Sequence, residues 1–399
     1  AVRIALENHP RLRSAKERVG AQEAVVGQEL SAYYPTINFN NTYRTANTTG
    51  GGDAADTAFD RFTSQATFNM TLYNFGKREG TVQSARKTLD ATRYSYLTTE
   101  DEVVLAVKQA YYGYLQALAL VRVSEETLKD RELLVRQAHG FFEVGTRAKI
   151  DVARAESNLY TAQADLIGAQ NGVKIAWANL KNTMGVPDLP EQPLAYDLLM
   201  VPPSISLEKA KETAYAARPE LWDFEAQRKA QDQQLATARR GHLPDILFNA
   251  NYGRQNSSPR SPGDPPTFPL QPSWQVQLSL NIPIFDGFRT SYQVEEALRN
   301  YHSVKAQEEE IRQQVALQVE QSYLRLVDAR ERIKATEAGE RAAKENIDLA
   351  NGRYQVGVGS IIEVTDAQTL YTDAQTRRIQ SIYDYKIAEA ELMKAVGRP

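Results

Sequence analysis

Cysteine is absent from the 399 residues of this chain, and histidine and methionine occur only four times each. Without cysteine, disulfide frameworks and zinc sites built on thiolates are excluded. The four histidines are scattered and have no neighbours at ligand spacing, so a metal path lined by histidine or methionine is disfavoured. We therefore predict no metal site and no cofactor.

Long apolar runs and a strong net charge are missing too. No run of eighteen apolar residues occurs, which argues against a transmembrane helix. The formal net charge is −3, so no overall basic field favours nucleic acid as a partner. The motifs G-x-S-x-G, H-E-x-x-H and G-x-x-x-x-G-K-S/T are absent as well. We predict that the protein is not an enzyme; an enzyme with a helical lid is the least favoured alternative.

The chain reads as two similar halves, residues 1–200 and 201–399. NHPRL near the start is echoed by ARPEL 209 residues later, and YYPTINFN by HLPDILFN at the same offset. VKQAYYGYL matches VEQSYLRLV at an offset of 212 residues. FEVG and YQVG match at the same offset. Because SLEK stands ahead of the point that matches Ala1, we expect the native chain to extend upstream of Ala1.

Each half is predicted to contain a helix, two strands, a very long helix, a tight glycine turn and a final helix. The predicted helices cover residues 1–32, 76–142 and 147–184 in the first half and 206–241, 288–355 and 360–396 in the second. At 1.5 Å per residue each long helix would measure roughly 100 Å. A seven-residue repeat of apolar and small residues runs along the first long helix and predicts close packing between helices.

Four strands are predicted, with apolar side chains on one face and uncharged amides and hydroxyls on the other. They cover residues 36–44, 65–75, 245–253 and 274–284, and long polar loops separate the members of each pair. This alternation is typical of a transmembrane β-barrel, although an antiparallel sheet over a soluble core gives the same pattern. Four strands cannot close a barrel around a lumen, so a barrel would need several chains; three copies would supply twelve strands.

Several segments share a pattern with one known family: LYNFGKRE and IPIFDGFR, the helix ends LKNTMGVP and LMKAVGRP, the opening NHPRLRSAKERVGAQEAVVGQELSAYYPTI, and the two glycine turns. In these segments the chain resembles the TolC-type outer-membrane factors, the outer-membrane efflux protein family. The resemblance covers essentially the whole chain. It implies a mainly α fold in which internally duplicated helical hairpins form a homotrimeric α-barrel, continued by a 12-stranded transmembrane β-barrel in the outer membrane of a Gram-negative cell.

The function that the resemblance implies is that of a passive, gated exit duct in a tripartite efflux or type I secretion system. A periplasmic adaptor (membrane fusion) protein and an inner-membrane efflux transporter or ABC exporter would open it, and the barrel would contact outer-membrane lipid. The cargo is left open. A soluble coiled-coil scaffold with a small β-sheet domain is the main alternative.

The resemblance also assigns roles to residues. It places both glycine turns at the periplasmic tip, where the adaptor would dock on Val144, Gly145, Thr146, Val356, Gly357, Val358, Gly359 and Ser360. Glu363 and Asp366 match acids that ring the lumen at the tip, and Asp151 and Tyr354 match residues that hold the closed state. Arg147, four residues before Asp151, is predicted to pair with it. Gly359 departs from the family, because some members have an arginine there.

Each of these residues also has a simpler interpretation. Ser360 and Glu363 fit the S-x-x-E capping box that starts a helix. Asp151 fits an acid in a first helical turn, where the helix dipole favours it. The glycines would occur in any tight turn between helices. Both interpretations stay open at this point.

Overall fold

The computed structural model of the protein describes residues 1–48, 57–190, 194, 205–260 and 270–397. The helices are α1 (Val2–Asn8), α2 (Pro10–Leu30), α3 (Lys77–Glu143), α4 (Lys149–Met184), α5 (Leu207–Ala217), α6 (Pro219–Arg239), α7 (Arg289–Gln355) and α8 (Ile361–Ala395). The strands are β1 (Thr36–Thr48), β2 (Thr57–Tyr73), β3 (Asp245–Arg260) and β4 (Gln271–Asn281). Among the described residues, none of these helices is long and apolar enough to cross a membrane.

The same order of elements occurs twice along the chain. Two helices, a short 3-10 turn and two strands lead into a helix of 67 residues, which a glycine turn connects to a helix of 36 residues in the first half and 35 in the second. The prediction of a mainly helical fold with four strands is confirmed. The boundary proposed between the halves, at residue 200, lies outside the described residues.

The prediction of single helices over 1–32 and 206–241 is wrong, because each is broken by a proline. His9 (ψ 125°) and Arg218 (ψ 122°) are extended where they precede Pro10 and Pro219. The proline ring disfavours a helical conformation in the residue before it. Each segment therefore consists of a short helix and a 21-residue helix.

The strands differ from their predicted bounds at both ends of each pair. They run farther into the polar loops, to Thr48 in β1 and from Thr57 in β2. At the other end β2 stops at Tyr73 and β4 at Asn281, whereas we predicted 75 and 284. Pro283 explains the second difference, because proline has no N–H for the strand ladder.

The four strands form one antiparallel sheet in the order β1-β2-β3-β4. Most of the side chains predicted for its apolar face are exposed, among them Ile37 (71%), Phe39 (68%), Tyr252 (69%) and Leu278 (67%), whereas Phe68 and Phe248 of the central strands are half-buried. In the described part of the chain this face is therefore not the cover of a core. The alternative of a sheet packed on a soluble core fails, since it needs these side chains to be buried.

Each strand pair enters its long helix through two consecutive residues in the left-handed conformation. These are Phe75 (φ 55°) and Gly76 (φ 84°) before α3, and Gly287 (φ 67°) and Phe288 (φ 66°) before α7. A left-handed residue other than glycine costs about 1–2 kcal/mol, so neighbouring contacts must hold it. At the first corner Arg240 Nη1 donates to Gly76 O at 2.7 Å and fixes the reversal.

The chain divides into two compact units. One comprises Ala1–Glu17, Tyr94–Trp222 and Glu309–Pro399, and the other comprises Arg18–Arg93 and Asp223–Glu308. Each unit therefore takes segments from both halves of the sequence. The first unit contains both glycine turns, and the second contains the sheet.

The seven-residue repeat of α3 supplies much of the core of the first unit. Val103, Val107, Tyr114 and Ala138, all on the predicted stripe, are at most 3% exposed. Tyr114 packs against Trp177 of α4, with ring centroids 5.2 Å apart. The close helix packing that the repeat predicts is present in this unit.

A buried charged cluster in the same unit ties the end of α8 to the break between α5 and α6. Arg218, only 2% exposed, donates from Nη2 to Glu220 Oε1 at 2.6 Å and from Nη1 to Ala395 O at 3.3 Å. Lys394 Nζ lies 3.3 Å from the same Glu220 oxygen. Burial, and then the charge of Glu220, raises the pKa of the Asp101 carboxyl from 3.8 to about 6.

This cluster predicts a pH-dependent stability that Asp101→Asn removes. The pKa of Asp101 is higher in the folded than in the unfolded chain, so folding loses stability as pH rises from about 4 to about 6. Above pH 6 the variant should be more stable by on the order of 1 kcal/mol, because the carboxyl is only partly desolvated. Melting temperatures at pH 4 and pH 8 measure the effect, with the exposed Asp384→Asn as control. Parallel pH profiles of the variant and the wild type would contradict the assignment.

Candidate functional site

The two glycine turns have the same backbone geometry. Gly145 (φ 72°) and Gly357 (φ 84°) take the left-handed conformation that glycine adopts without penalty. In the first turn Gly145 N donates to Phe142 O and Thr146 N donates to Phe141 O, both at 2.9 Å. In the second turn Gly357 N donates to Tyr354 O at 3.1 Å and Val358 N donates to Arg353 O at 3.0 Å. This pairing satisfies the last carbonyls of α3 and α7, as in a Schellman motif.

Arg147 joins the first turn to the second. Its Nη2 donates to Gly357 O at 3.0 Å and to Gly359 O at 2.6 Å. Its guanidinium carbon lies 5.3 Å from the centroid of the Tyr354 ring, within the range of a cation–π contact. One side chain of the first turn therefore contacts two backbone carbonyls of the second.

The predicted pairing of Arg147 with Asp151 is wrong. Among the described residues no ion pair within 4.0 Å joins them, and the guanidinium contacts backbone carbonyls instead. The i, i+4 rule applies within a helix, but α4 begins only at Lys149, two residues after Arg147. Asp151 lies in the first turn of α4, where the helix dipole favours a carboxylate.

Tyr354 is the buried centre of the site. Its side chain is fully buried and meets the Phe141 ring edge to face, with centroids 5.4 Å apart. Its hydroxyl has no hydrogen-bond partner among the described residues. Burial, and then the charge of Asp151, raises the pKa of Tyr354, and Arg147 opposes that rise. The hydroxyl is a hydrogen-bond donor that has no acceptor among the described residues.

The start of α8 presents two exposed acids. Ser360 Oγ accepts a hydrogen bond from Glu363 N at 3.2 Å, so the capping interpretation of Ser360 is confirmed. The Glu363 carboxylate does not complete the capping box; it accepts from Arg353 Nε at 3.2 Å. Asp366, three residues on, is exposed and makes no hydrogen bond or ion pair within the described chain. The two acids lie on one face of α8, but only Asp366 has an unpaired charge.

The outer surface of the two turns is apolar. Val144, Val356 and Val358 are 71%, 74% and 68% exposed. Three exposed β-branched side chains on adjacent turns form a small patch of the kind that marks contact sites.

Gly359 has no room for a side chain. A Cβ there would lie 2.9 Å from Arg353 Cβ and 3.0 Å from Tyr354 N. An arginine at this position, which the resemblance led us to compare, would therefore displace the end of α7. In this chain Arg147 occupies the equivalent position of the first turn, and its guanidinium donates to the carbonyl of Gly359.

Arg131, which is only 7% exposed in α3, is a polar residue near the site that was not predicted. It donates to Gln368 and Thr369 of α8. A signal was present, because Arg131 occupies a core position of the seven-residue repeat, three residues after Leu128 and four before Val135. A charged residue at such a position is a departure from the pattern.

Comparison with known proteins agrees with this architecture. The family model of outer membrane efflux proteins matches residues 1–186 and 211–398. The chain belongs to the outer membrane efflux protein family. It is 26% identical to the outer membrane protein TolC of Vibrio cholerae, over 98% of this chain and 89% of that protein. It is 25% identical to the outer membrane efflux protein BepC of Brucella suis, over 99% of this chain and 84% of that one.

Solved structures show the same fold. The outer membrane protein VceC from Vibrio cholerae superposes with a TM-score of 0.83 at 18% identity, over 100% of this chain and 95% of that one. The MtrE outer membrane channel of Neisseria gonorrhoeae, in its open state, gives 0.79 at 19% identity, over 99% of this chain and 88% of that one. The protein is thus an efflux channel of the Gram-negative outer membrane, with helices that extend into the periplasm.

The crowding at Gly359 predicts that Gly359→Ala destabilises the second turn by about 1–3 kcal/mol, because backbone atoms and a Cβ must shift. Gly352→Ala is the matched control. It lies in α7 with nothing within 4 Å of the new Cβ and should be neutral or stabilising by up to about 1 kcal/mol. Melting temperature and protease cleavage at the turn measure both. Equal stability of the two variants would show that the crowding is relieved at no cost.

Proposed function

We propose that three copies of this chain form one channel, a passive conduit with a gated periplasmic entrance. The observation that carries this proposal is the sheet of four strands with an exposed apolar face. A sheet of four strands has two free edges and is too small to enclose a lumen. Three copies of the sheet would close into twelve strands, with Trp274 and Phe39 among the side chains that face lipid.

The helices would continue this channel into the periplasm as an α-helical barrel. Two of the relatives support a role in a multi-component system: the toluene efflux pump protein TtgC and the antibiotic efflux pump protein ArpC of Pseudomonas putida are named as outer membrane components of pumps. We infer that a periplasmic adaptor and an inner-membrane transporter or ABC exporter complete the system here. Energy would come from that transporter, and the channel would only open and close.

We place the entrance at the glycine turns. Arg147 holds the second turn against the first, and Tyr354 is buried beneath them. Asp366 is the acid with an unpaired, exposed carboxylate, whereas Glu363 is held by Arg353. In a trimer three copies of Asp366 would surround the opening. Like charges so placed repel one another, which favours cations in the opening.

Planar bilayers test both the channel and its entrance. Wild-type protein should conduct and prefer cations, whereas the soluble scaffold alternative predicts no conductance. Asp366→Ala should weaken the cation preference, because it removes the unpaired acid that attracts cations to the opening. Glu363→Ala should have a smaller effect, since its charge is already balanced by Arg353.

The control is Asp165→Ala, an exposed acid of α4 that lies away from the turns. Reversal potentials in a salt gradient measure the selectivity. An unchanged selectivity of Asp366→Ala would remove this residue from the entrance without contradicting a conducting wild type.

We also propose that the adaptor docks on the turns. Substitution of Gly145 or Gly357 would strain the backbone whatever the partner, since both have positive φ. Val144→Glu and Val356→Glu test docking more directly, because these side chains are exposed and the substitutions do not strain the backbone. Both should abolish adaptor-dependent opening while trimers form normally, and Val356→Thr, of nearly the same shape, should retain it. Cross-linking of the adaptor to the trimer measures docking. Normal docking of both glutamate variants would place the contact elsewhere.

A further inference from the structure

Arg254 is an exposed cation on the apolar face of the sheet. It lies in β3 two residues after Tyr252, so the pleat of the strand places both side chains on the same face. Among the strand residues whose side chains the structure describes, the other charged group on this face is Asp60. That carboxylate is 1% exposed and accepts a hydrogen bond from the Tyr43 hydroxyl at 3.0 Å. The guanidinium of Arg254 makes no hydrogen bond or ion pair within the described chain.

The register of the strands places Arg254 where the apolar part of the face ends. One row across the sheet consists of Phe39, Ala66, Tyr252 and Trp274. The next row toward the hairpin loops consists of Asn41, Ser64, Arg254 and Pro272. The face therefore changes from apolar to polar between two adjacent rows.

Aromatic side chains lie on both sides of this polar row. Tyr252 and Trp274, 69% and 73% exposed, precede it, and Tyr43, 53% exposed, follows it. Tyrosine and tryptophan are enriched where a membrane protein crosses from lipid to water. Arg254 is thus placed within an aromatic belt, at the depth of lipid headgroups.

This belt lies at the end of the sheet that is farther from the helices. The helices α2, α3, α6 and α7 join the strands at the opposite end, next to Thr36, Tyr73, Asp245 and Asn281. Because the helices extend into the periplasm, the belt would lie in the outer leaflet of the membrane.

The row that contains Arg254 offers hydrogen-bond donors to an anion. Ser64 is directly opposite Arg254, and Asn41 is directly opposite Ser64. Neighbouring strands are about 5 Å apart, so the hydroxyl and the guanidinium can reach one ligand. A guanidinium forms paired hydrogen bonds with phosphate oxygens, and no acid lies in this row to compete with a phosphate.

A headgroup phosphate without a cation of its own fits this row best. A zwitterionic headgroup already carries a cation that balances its phosphate. A phosphate monoester carries about −1.5 to −2 charges at neutral pH, and it gains more from a guanidinium. A charged side chain that faces lipid is costly at the centre of the bilayer and tolerated near the interface, where such a partner is available.

The first half of the chain has no equivalent of this arginine. The offset of 209 residues that aligns Tyr43 with Tyr252 aligns Thr45 with Arg254. The strand pair of the first half is formed without a cation at this position. The arginine is therefore not required by the repeated framework.

We propose that Arg254, with Ser64 and Asn41 beside it, binds the phosphate of a phosphorylated glycolipid in the outer leaflet. The acyl chains of that lipid would lie along Tyr252 and Trp274. This site rests on the proposed function, since it requires the apolar face of the sheet to be embedded in the outer membrane. It would occur once per chain and three times in the trimer.

Native mass spectrometry of the full chain with added lipid tests the site. The probes are lipid A with both phosphates and dephosphorylated lipid A, and the wild type should prefer the first. Arg254→Gln should lower the affinity for the phosphorylated form by about tenfold or more, because it removes hydrogen bonds between charged groups. Its affinity for the dephosphorylated form should match that of the wild type. Arg254→Lys should fall between the two, since it keeps the charge and loses the paired hydrogen bonds.

The matched control is Arg44→Gln. Arg44 is an exposed arginine of β1 near the same end of the sheet, but it lies on the opposite face. This variant should bind phosphorylated lipid A as the wild type does. Inorganic phosphate at millimolar concentration should not displace the lipid, because it has no acyl chains. Displacement would indicate a site for free anions and overturn the assignment to a lipid.

The outcomes separate this site from the proposed function. A wild type that does not conduct in planar bilayers overturns the channel proposal and the lipid site with it. A conducting wild type that binds both forms of lipid A equally overturns the lipid site alone, whether or not any variant folds. Equal affinity of Arg254→Gln and the wild type for the phosphorylated form does the same.

Discussion

The sheet imposes the constraint on which the rest of the molecule depends. Many of its apolar side chains are exposed, among them Ile37, Phe39 and Leu278. Water does not stabilise such a surface, and the two free edges of a four-stranded sheet cannot be satisfied within one chain. The lipid environment and the further copies of the chain that we propose would resolve both problems at once. The repeated element order then follows, because each half supplies two strands and the helices that leave them.

The halves share a backbone but differ in the chemistry that holds it. Where the strands lead into the long helices, the order of the residues is reversed: Phe75–Gly76 in the first half and Gly287–Phe288 in the second. All four residues have the left-handed backbone conformation. At the turns Arg147 of the first half corresponds to Gly359 of the second, and one guanidinium serves both. Differences of this kind let a repeated framework carry functions that are not repeated.

How far the sequence predicts this structure depends on the range of the interaction. Helix and strand periodicity predicted the mainly helical fold, and the S-x-x-E spacing predicted the cap at Ser360, because both are set by near neighbours. The breaks at Pro10 and Pro219 were predictable from the same local chemistry and were missed. The contacts of Arg147 with Gly357 and Gly359 were not predictable, because they join residues 210 and 212 positions apart. Arg131 could be predicted in part. The seven-residue repeat places it at a core position, but the repeat does not indicate its hydrogen-bond acceptors on α8.

The first unit contains two kinds of buried polar group near the glycine turns. Tyr354 has a hydroxyl without a hydrogen-bond partner among the described residues, and Arg131 donates to the neutral side chains of Gln368 and Thr369. A protein selected only for stability would replace both with apolar side chains, since such replacement is often neutral or stabilising. An unsatisfied hydroxyl lowers the stability of the present arrangement, and a buried guanidinium that donates to neutral acceptors stabilises it less than one paired with a carboxylate would.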